Sequence, residues 1–217
     1  MSRPTDNLDS IAEKIRLSLA AKDAAREKAL PVCREAIRYC SQAIRAIHRQ
    51  EFDQSVDLLK SAQALLKEAE DSLGGSPEVM NTGFLRDAQK EYAEGSTLLA
   101  LVTGRQTPAP NDLGVDSAAY LNGLGEAVGE LRRYLLDRMR RGDLSRGEEL
   151  LDQMDDIYNV LVTMDFPDAI TGGLRRTTDM VRGVLERTRS DLTLVIRQEA
   201  LEKRLAKLEG SLQTGPT

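Results

Sequence analysis

The 217-residue sequence contains no tryptophan, one histidine, two cysteines and only 4% aromatic residues. A β-sandwich or barrel draws on more aromatic and β-branched side chains than that. One histidine and two cysteines do not supply the usual four ligands of a zinc site. Cys33 and Cys40 are seven positions apart. On a helix that is about 10.5 Å of rise, beyond the roughly 7 Å between Cα atoms that a disulfide spans. They read as small buried residues in a reducing compartment. A Ser-His-Asp or Cys-His enzyme would have to rest on His48 alone, and no G-x-S-x-G or phosphate-loop motif accompanies it. No run of about 18 apolar residues is present, so no membrane-spanning helix is expected. Residues 1–10 are polar and carry Asp6 and Asp9, unlike a secretory signal. A cytoplasmic location is the expectation.

What is present favours helix. Ala, Leu, Arg, Glu and Asp dominate, and 41% apolar residues suffice for a core. The length suggests one domain or at most two. Ile11, Ile15, Leu19 and Ala20 recur at helical spacing and predict a first helix over 8–30. Pro31 either kinks that helix or opens the next. Cys33, Ala36, Ile37, Cys40, Ile44 and Ile47 carry a second over 32–49. After a break at 50–53, Val56, Leu59, Ala62, Leu65, Leu66 and Ala69 mark a third, stopped by Gly74-Gly75-Ser76-Pro77. A fourth is expected over 78–103 and a fifth over 117–141. A sixth is expected over 145–164, opened by a capping box, Ser145-Arg146-Gly147-Glu148. The last segment, 168–212, is long and interrupted at Gly172-Gly173. The fold class read from this is all-α, about seven helices, several of them long. It forms one domain over 1–217, with flexible ends at 1–7 and 211–217. Leu174, Thr178, Val181, Leu185, Thr188, Leu192 and Val195 form a heptad-like seam, suited either to packing on the chain's own helices or to a subunit interface.

Several charged constellations could carry chemistry. Asp87, Glu91 and Glu94 share one face of the fourth helix at spacings of four and three. Like charges so placed do not help a helix, but stacked carboxylates suit Mg²⁺, a hard ion that takes oxygen ligands. The plain alternative is a solvated face. Asp143, Glu148 and Glu149 surround the Gly142 turn, where acids also serve simply as helix N-terminal partners. Glu126 and Glu130 form a third pair, which read alone is surface or a partner for Arg133. His48 reads as a C-terminal dipole partner rather than a catalyst. The formal charge is −5, which argues against indiscriminate nucleic-acid binding, but its distribution is uneven. Residues 131–146 hold six Arg against two Asp, and residues 174–189 hold five Arg against Asp179 and Glu186. Arginine-rich helix faces fit phosphate oxygens, with ordinary solvated faces as the alternative. Aromatic platforms for stacking bases are sparse.

At this point a family resemblance enters. Gln89-Lys90-Glu91-Tyr92-Ala93-Glu94 resembles the Q-E-Y-V-E-A signature of translin-associated factor X. Tyr120-Leu121-Asn122-Gly123-Leu124 followed by Gly129-Glu130-Leu131-Arg132-Arg133 resembles the Y-L-x-G and G-E-L-x-R block of the translin family. Gly142-Asp143-Leu144-Ser145-Arg146 is similar to the G-D-Y-S-R of translin, and Asp23-Ala24-Ala25-Arg26-Glu27 to a D-x-R-E segment. Ile47-His48 and the stretch from Leu174-Arg175-Arg176 through Leu192 also follow the family's order. The resemblance covers essentially the whole chain and points to a prokaryotic relative with a factor X-like acidic site.

The resemblance implies an all-α translin-like bundle with a long C-terminal helix. It implies closed homo-oligomers, often octamers, that enclose single-stranded RNA or DNA. It also implies a Mg²⁺-dependent endoribonuclease site, with Mn²⁺ able to substitute, built from two Glu on the Q-E-Y-V-E helix and two acids after the G-D turn. Carried onto this chain, the first pair falls on Glu91 and Glu94. The second falls on Ser145 and Glu149, with Asp143 as the nearby acid. The expected catalytic set is therefore Glu91, Glu94, Glu149 and Asp143, with Glu91, Glu94 and Glu149 as metal ligands. Arg132, Arg133, Arg140 and Arg141 are the expected nucleic-acid contacts. A serine at one acid's position leaves a second reading, a translin-like binder without catalysis. A third needs no resemblance: a helical adaptor that binds a protein through the C-terminal seam.

Overall fold

Helix α1 (Leu8–His48) runs 41 residues with Pro31 inside it. The predicted first and second helices are one. Proline removes an amide donor and crowds the carbonyl four residues back. Here Glu27 and Pro31 both lie on the solvent-exposed face, where that carbonyl is open to water rather than sealed in the core. The buried stripe Ala29, Cys33, Ala36, Cys40, Ala43 and Ile47 continues across the proline. A tight turn follows, with Gln50 at φ 63° and the Glu51 amide donating to Ala46 O at 2.9 Å. Helix α2 (Phe52–Ser72) then folds back on α1. Ala62 and Ala69 face the alanine and cysteine stripe, which lets the two backbones approach closely.

The structure, a computed structural model, describes residues 5–74 and 83–213. Gly74 of the predicted breaker cluster ends the first described stretch with φ 64°, while its remainder and the start of the fourth helix, residues 75–82, lie outside the described residues, as do 1–4 and 214–217, on which most of the expected flexible ends fall. The remaining elements are α3 (Gly83–Val102), α4 (Pro110–Leu113), α5 (Ser117–Arg140), α6 (Gly147–Val162), α7 (Asp168–Thr171) and α8 (Leu174–Gln213). The fold is all-α, with eight helices among the described residues. The count differs from seven because α1 is continuous and two one-turn helices, α4 and α7, stand in segments read as loop or helix start. The break at Gly172-Gly173 is present, with φ of 64° and 85°.

The predicted capping box does not form. Ser145 Oγ donates to Asp143 Oδ1 at 2.7 Å, and helix α6 starts two residues later at Gly147. The side chain found a nearer acceptor than the helix amides. A cap the sequence reading passed over is Asp116, whose carboxylate accepts from the amides of Ala118 and Ala119 and opens α5.

Helices α3 and α5 cross at the centre of the bundle. A Cβ added at Gly123 would lie 2.7 Å from Lys90 O, 2.8 Å from Ala93 Cβ and 3.0 Å from Glu94 N. The two backbones therefore touch at this glycine, which accounts physically for the glycine of the Y-L-x-G segment. On its other side α5 meets the first half of α8. Asn122 Nδ2 donates to Ala118 O and Thr171 O, both at 2.8 Å, and Thr177 Oγ1 donates to Asn122 Oδ1 at 2.6 Å. Leu174, Val181, Leu185, Thr188 and Leu192 of the predicted seam are buried within the chain. Between residues 174 and 192 the seam packs on the chain's own helices. Beyond it, Leu194, Leu201, Leu205 and Leu208 are exposed, as are Leu8, Ile11, Ile15 and Leu19 at the start of α1. No helix of the described residues is long and apolar enough to cross a membrane.

Gly123→Ala is expected to lower unfolding stability by about 3 kcal/mol, because backbone rather than a flexible side chain would have to yield. Gly129→Ala on the same helix, whose Cβ would meet nothing within 4 Å, is expected to be neutral or to stabilise by up to about 1 kcal/mol. Urea unfolding of both variants checks this, and equal effects would contradict the close contact.

Candidate metal centre

Helical spacing places Glu91 and Glu94 one turn apart on α3, facing α5. Glu126 sits one turn beyond Gly123 on α5. Ligand atoms of Glu91, Glu94 and Glu126 all lie within 4.8 Å of one another. Glu94 is buried, 8% exposed, and the other two are half-buried. Burial pushes the Glu94 carboxyl up to about 8, and the charges of Glu91, Glu126 and Glu130 add to the rise while Lys90 opposes it. Burial also raises Glu91, aided by Glu126, Asp87 and Glu130 and opposed by Lys90. Three oxygen donors gathered in a partly dry site repel one another and suit a hard divalent cation. The donor set therefore fits Mg²⁺ on the chemistry of its atoms.

Two further groups frame the carboxylates. Lys90 Nζ donates to Glu126 Oε1 at 2.7 Å. Burial would lower the Lys90 ammonium, yet the bond and the charges of Glu126, Glu91 and Asp87 carry it above its ordinary value. Glu130, a turn beyond Glu126, accepts from His48 Nε2 at 2.5 Å. That hydrogen bond holds Glu130 below the usual carboxylate range against its burial, with help from the charges of His48 and Arg133. His48 thus does more than face a helix end: it ties α1 to the acidic side of α5. Cys40 lies behind the site. Burial, then the charges of Glu91 and Glu94, push its thiol far up, so it stays protonated and inert. Both cysteines are free.

The structure does not bring Glu149 or Asp143 to this group. Glu149 is held by Arg146 at 2.6 Å, and Arg146 also donates to the carbonyls of Leu101 and Val102 at the C-terminal end of α3. Val102 is eight residues beyond Glu94, about 12 Å along the helix. Asp143 accepts from Ser145 and pairs with Arg138. Arg138 is twelve residues beyond Glu126, about 18 Å along α5. The bond from the Ser145 hydroxyl, with its amide and Arg138, holds Asp143 down at about 2, and Arg146 lowers Glu149. Both acids serve the turn before α6. Asp87 is exposed and stands outside the group.

The expected nucleic-acid arginines divide. Arg132 is committed to α8, donating to Asp191 at 2.7 Å and Thr188 at 3.0 Å. Arg133, Arg140 and Arg141 are exposed, the first 3.7 Å from Glu130 and the second 4.0 Å from Asp137. Glu126 and Glu130, read from the sequence as surface or a partner for Arg133, stand beside the site instead, with Glu130 also 3.7 Å from Arg133. A signal for them was present. Gly123, Glu126 and Glu130 are spaced three and four apart, so whichever helix Gly123 touches, the two acids face as well.

No family model matches the chain. It is 32% identical over 193 residues to the uncharacterized protein MJ0175 of Methanocaldococcus jannaschii, covering 88% of this chain and 85% of that one. Among solved structures it resembles AfC3PO, at a TM-score of 0.79 and 34% identity, over 86% of this chain and 97% of that chain. It resembles AfC3PO in complex with duplex RNA at a TM-score of 0.77, with the same identity and coverage. Apo-NeC3PO, at 18% identity and a TM-score of 0.73 over 90% of this chain and 99% of that one, shares the fold. The chain belongs to the translin family.

A pH dependence follows from Glu94. Its folded value lies above its ordinary 4.5, at about 8. The folded chain therefore holds this proton more tightly than the unfolded chain does. The associated stability is present in full below about 4.5 and is lost as pH rises through about 8. In EDTA, wild-type stability is expected to fall between pH 5 and 9. Glu94→Gln should flatten much of that slope, leaving the smaller part that Glu91 contributes, and be more stable at pH 9 by about 2–4 kcal/mol. Parallel profiles for the two proteins in thermal unfolding would contradict the assignment.

Proposed function

We propose that this protein is a Mg²⁺-dependent endoribonuclease that cleaves single-stranded RNA within a closed homo-oligomer. The observation that carries the reading is the partly buried grouping of Glu91, Glu94 and Glu126. The 34% identity to AfC3PO, one of whose structures holds duplex RNA, supports RNA as the ligand class. Glu91, Glu94 and Glu126 would hold the ion, with Glu130 beside them and positioned by His48. Mg²⁺, or Mn²⁺ in its place, supplies charge stabilisation of a transferring phosphoryl group and activation of water. Glu94 would give up its proton on holding a cation, so that loading would release protons near neutral pH. Arg133, Arg140 and Arg141 provide exposed positive charge along the far half of α5 for the RNA backbone.

Assembly is supported by the exposed apolar rows at the start of α1 and the end of α8. Contiguous rows of this kind mark association surfaces. We take the partner to be further copies of this chain, eight by family resemblance, in the cytoplasm.

Two experiments test the reading. A labelled single-stranded RNA is expected to be cut with Mg²⁺ and not with EDTA. Cutting should fall to background in a Glu91→Ala, Glu94→Ala double variant and in Glu126→Gln, while Glu149→Gln and Asp143→Asn stay within a few-fold of wild type. Salt-dependent binding with no cleavage would make the protein a translin-like binder instead. Persistent cleavage in the double variant would remove the carboxylates from the chemistry. In gel filtration with light scattering, Leu201→Glu, Leu205→Glu is expected to shift a large species to a smaller one, and an unchanged mass would count against the α8 surface.

A further inference from the structure

We propose that the cavity of about 480 Å³ beside the carboxylates is a phosphate-binding subsite, shaped for a nucleotide adjacent to the one at the acidic group. It lies between the first turn of α8 and the facing sides of α3 and α5. Its wall includes Arg86 and Lys90 of α3, Asn122 and Glu126 of α5, and Arg176 and Thr177 of α8. This inference rests on the nuclease reading for the identity of the ligand, and on the geometry below for the site itself.

Continuity with the acidic group is direct. Glu126 belongs both to the three-carboxylate grouping and to the cavity wall. A strand of RNA with one phosphate at the carboxylates would place a neighbouring nucleotide here. The volume suits a mononucleotide, within the roughly 300–1,000 Å³ of small-ligand sites.

Charge is the second observation. Several arginines of the helices around it are hydrogen-bonded to acids: Arg132 to Asp191, Arg138 to Asp143, Arg182 to Glu186 and Arg189 to Asp155. The two that line the cavity are not hydrogen-bonded to one. Arg86 has Asp116 at 3.8 Å, too long for a hydrogen bond. Arg176 pairs with no carboxylate among the described residues. Two arginines from different helices thus line one space, neither hydrogen-bonded to a carboxylate among the described residues. Guanidinium forks match phosphate oxygens in shape and charge. Thr177 and Asn122, bonded to each other, add polar edges. Asp87 is the other acid in the wall, and it is exposed.

Lys90 joins the two sites. Its ammonium donates to Glu126 at 2.7 Å. Were Glu126 to hold a cation, Lys90 would lose that partner and its charge would serve an anion in the cavity. Occupancy of the carboxylates and of the cavity therefore favour each other, and the coupling is reciprocal.

Uridine 5′-monophosphate titrated calorimetrically into the full chain tests this. Binding is expected in EDTA and is expected to tighten about fivefold or more with Mg²⁺. An Arg86→Gln, Arg176→Gln double variant with an unchanged thermal midpoint should bind at least tenfold more weakly. Glu91→Gln, Glu94→Gln should keep the EDTA affinity and lose the Mg²⁺ effect. Lys90→Met should lose most of the Mg²⁺ effect. No binding at millimolar nucleotide, or wild-type affinity in the double arginine variant, would overturn the proposal. So would nucleotide binding that vanishes in the Glu91, Glu94 variant even in EDTA. The outcomes separate from those of the nuclease reading. RNA cleavage with unchanged KM in the arginine variant would remove the subsite and leave the nuclease. Nucleotide binding at the cavity in a wild type that cuts no RNA would remove the nuclease and leave the subsite.

Discussion

The contact of α3 with α5 at Gly123 is the constraint on which the rest depends. Two helix backbones meet where a single Cβ would strike a carbonyl, a methyl and an amide at 3.0 Å or less. Helices ordinarily stand 8–10 Å apart, kept there by their side chains. Removing one side chain at the crossing lets the pair close and turns the next residues of α5 toward α3. Glu126 then meets Glu91 and Glu94, and Glu130 meets His48 at the end of α1. The same helix carries on its other side Asn122, bonded to α7 and α8, and Arg132, bonded to α8. One glycine thus sets the depth of the carboxylate group and the placement of the cavity beside it.

The carboxylate group works against the stability of the cation-free chain. Three acids lie within 4.8 Å, one of them buried and pushed up to about 8, with a single lysine bonded among them. A packed apolar crossing at the same place would fold more firmly. Acids gathered so closely in a helical core are a feature that folding alone does not reward, and a divalent cation would relieve the repulsion they create. By contrast, Asp143 and Glu149 are fully engaged with Arg138, Ser145 and Arg146, and their interactions hold a turn together.

Much of the helical architecture is legible in the residues. Apolar spacing marks each long helix within a few positions, and Gly172-Gly173 marks the last break. Pro31 is misleading because its effect depends on whether the carbonyl behind it reaches water, which the sequence does not state. Ser145-Arg146-Gly147-Glu148 is misleading because a capping serine and an Asp-bonded serine look alike in a string; Asp143, two residues earlier, captures the hydroxyl. The seam over 174–192 could equally have served a partner, and only the packed bundle shows that α5 and α6 already cover it.

For the site, sequence alone determined half. Glu91 and Glu94 share a face because three residues make nearly a turn, and that is a property of one helix. Their partner Glu126 lies 32 residues beyond Glu94 on a different helix. Its approach is set by how α3 and α5 cross. The same holds for the His48–Glu130 pair, 82 residues apart, and for the meeting of Arg86 with Arg176. Local periodicity fixes which residues point together along one element. Which elements then face each other is decided by packing, and here packing sets Glu126 of α5 beside Glu91 and Glu94, while Asp143 and Glu149 stay with the arginines of the Gly142 turn.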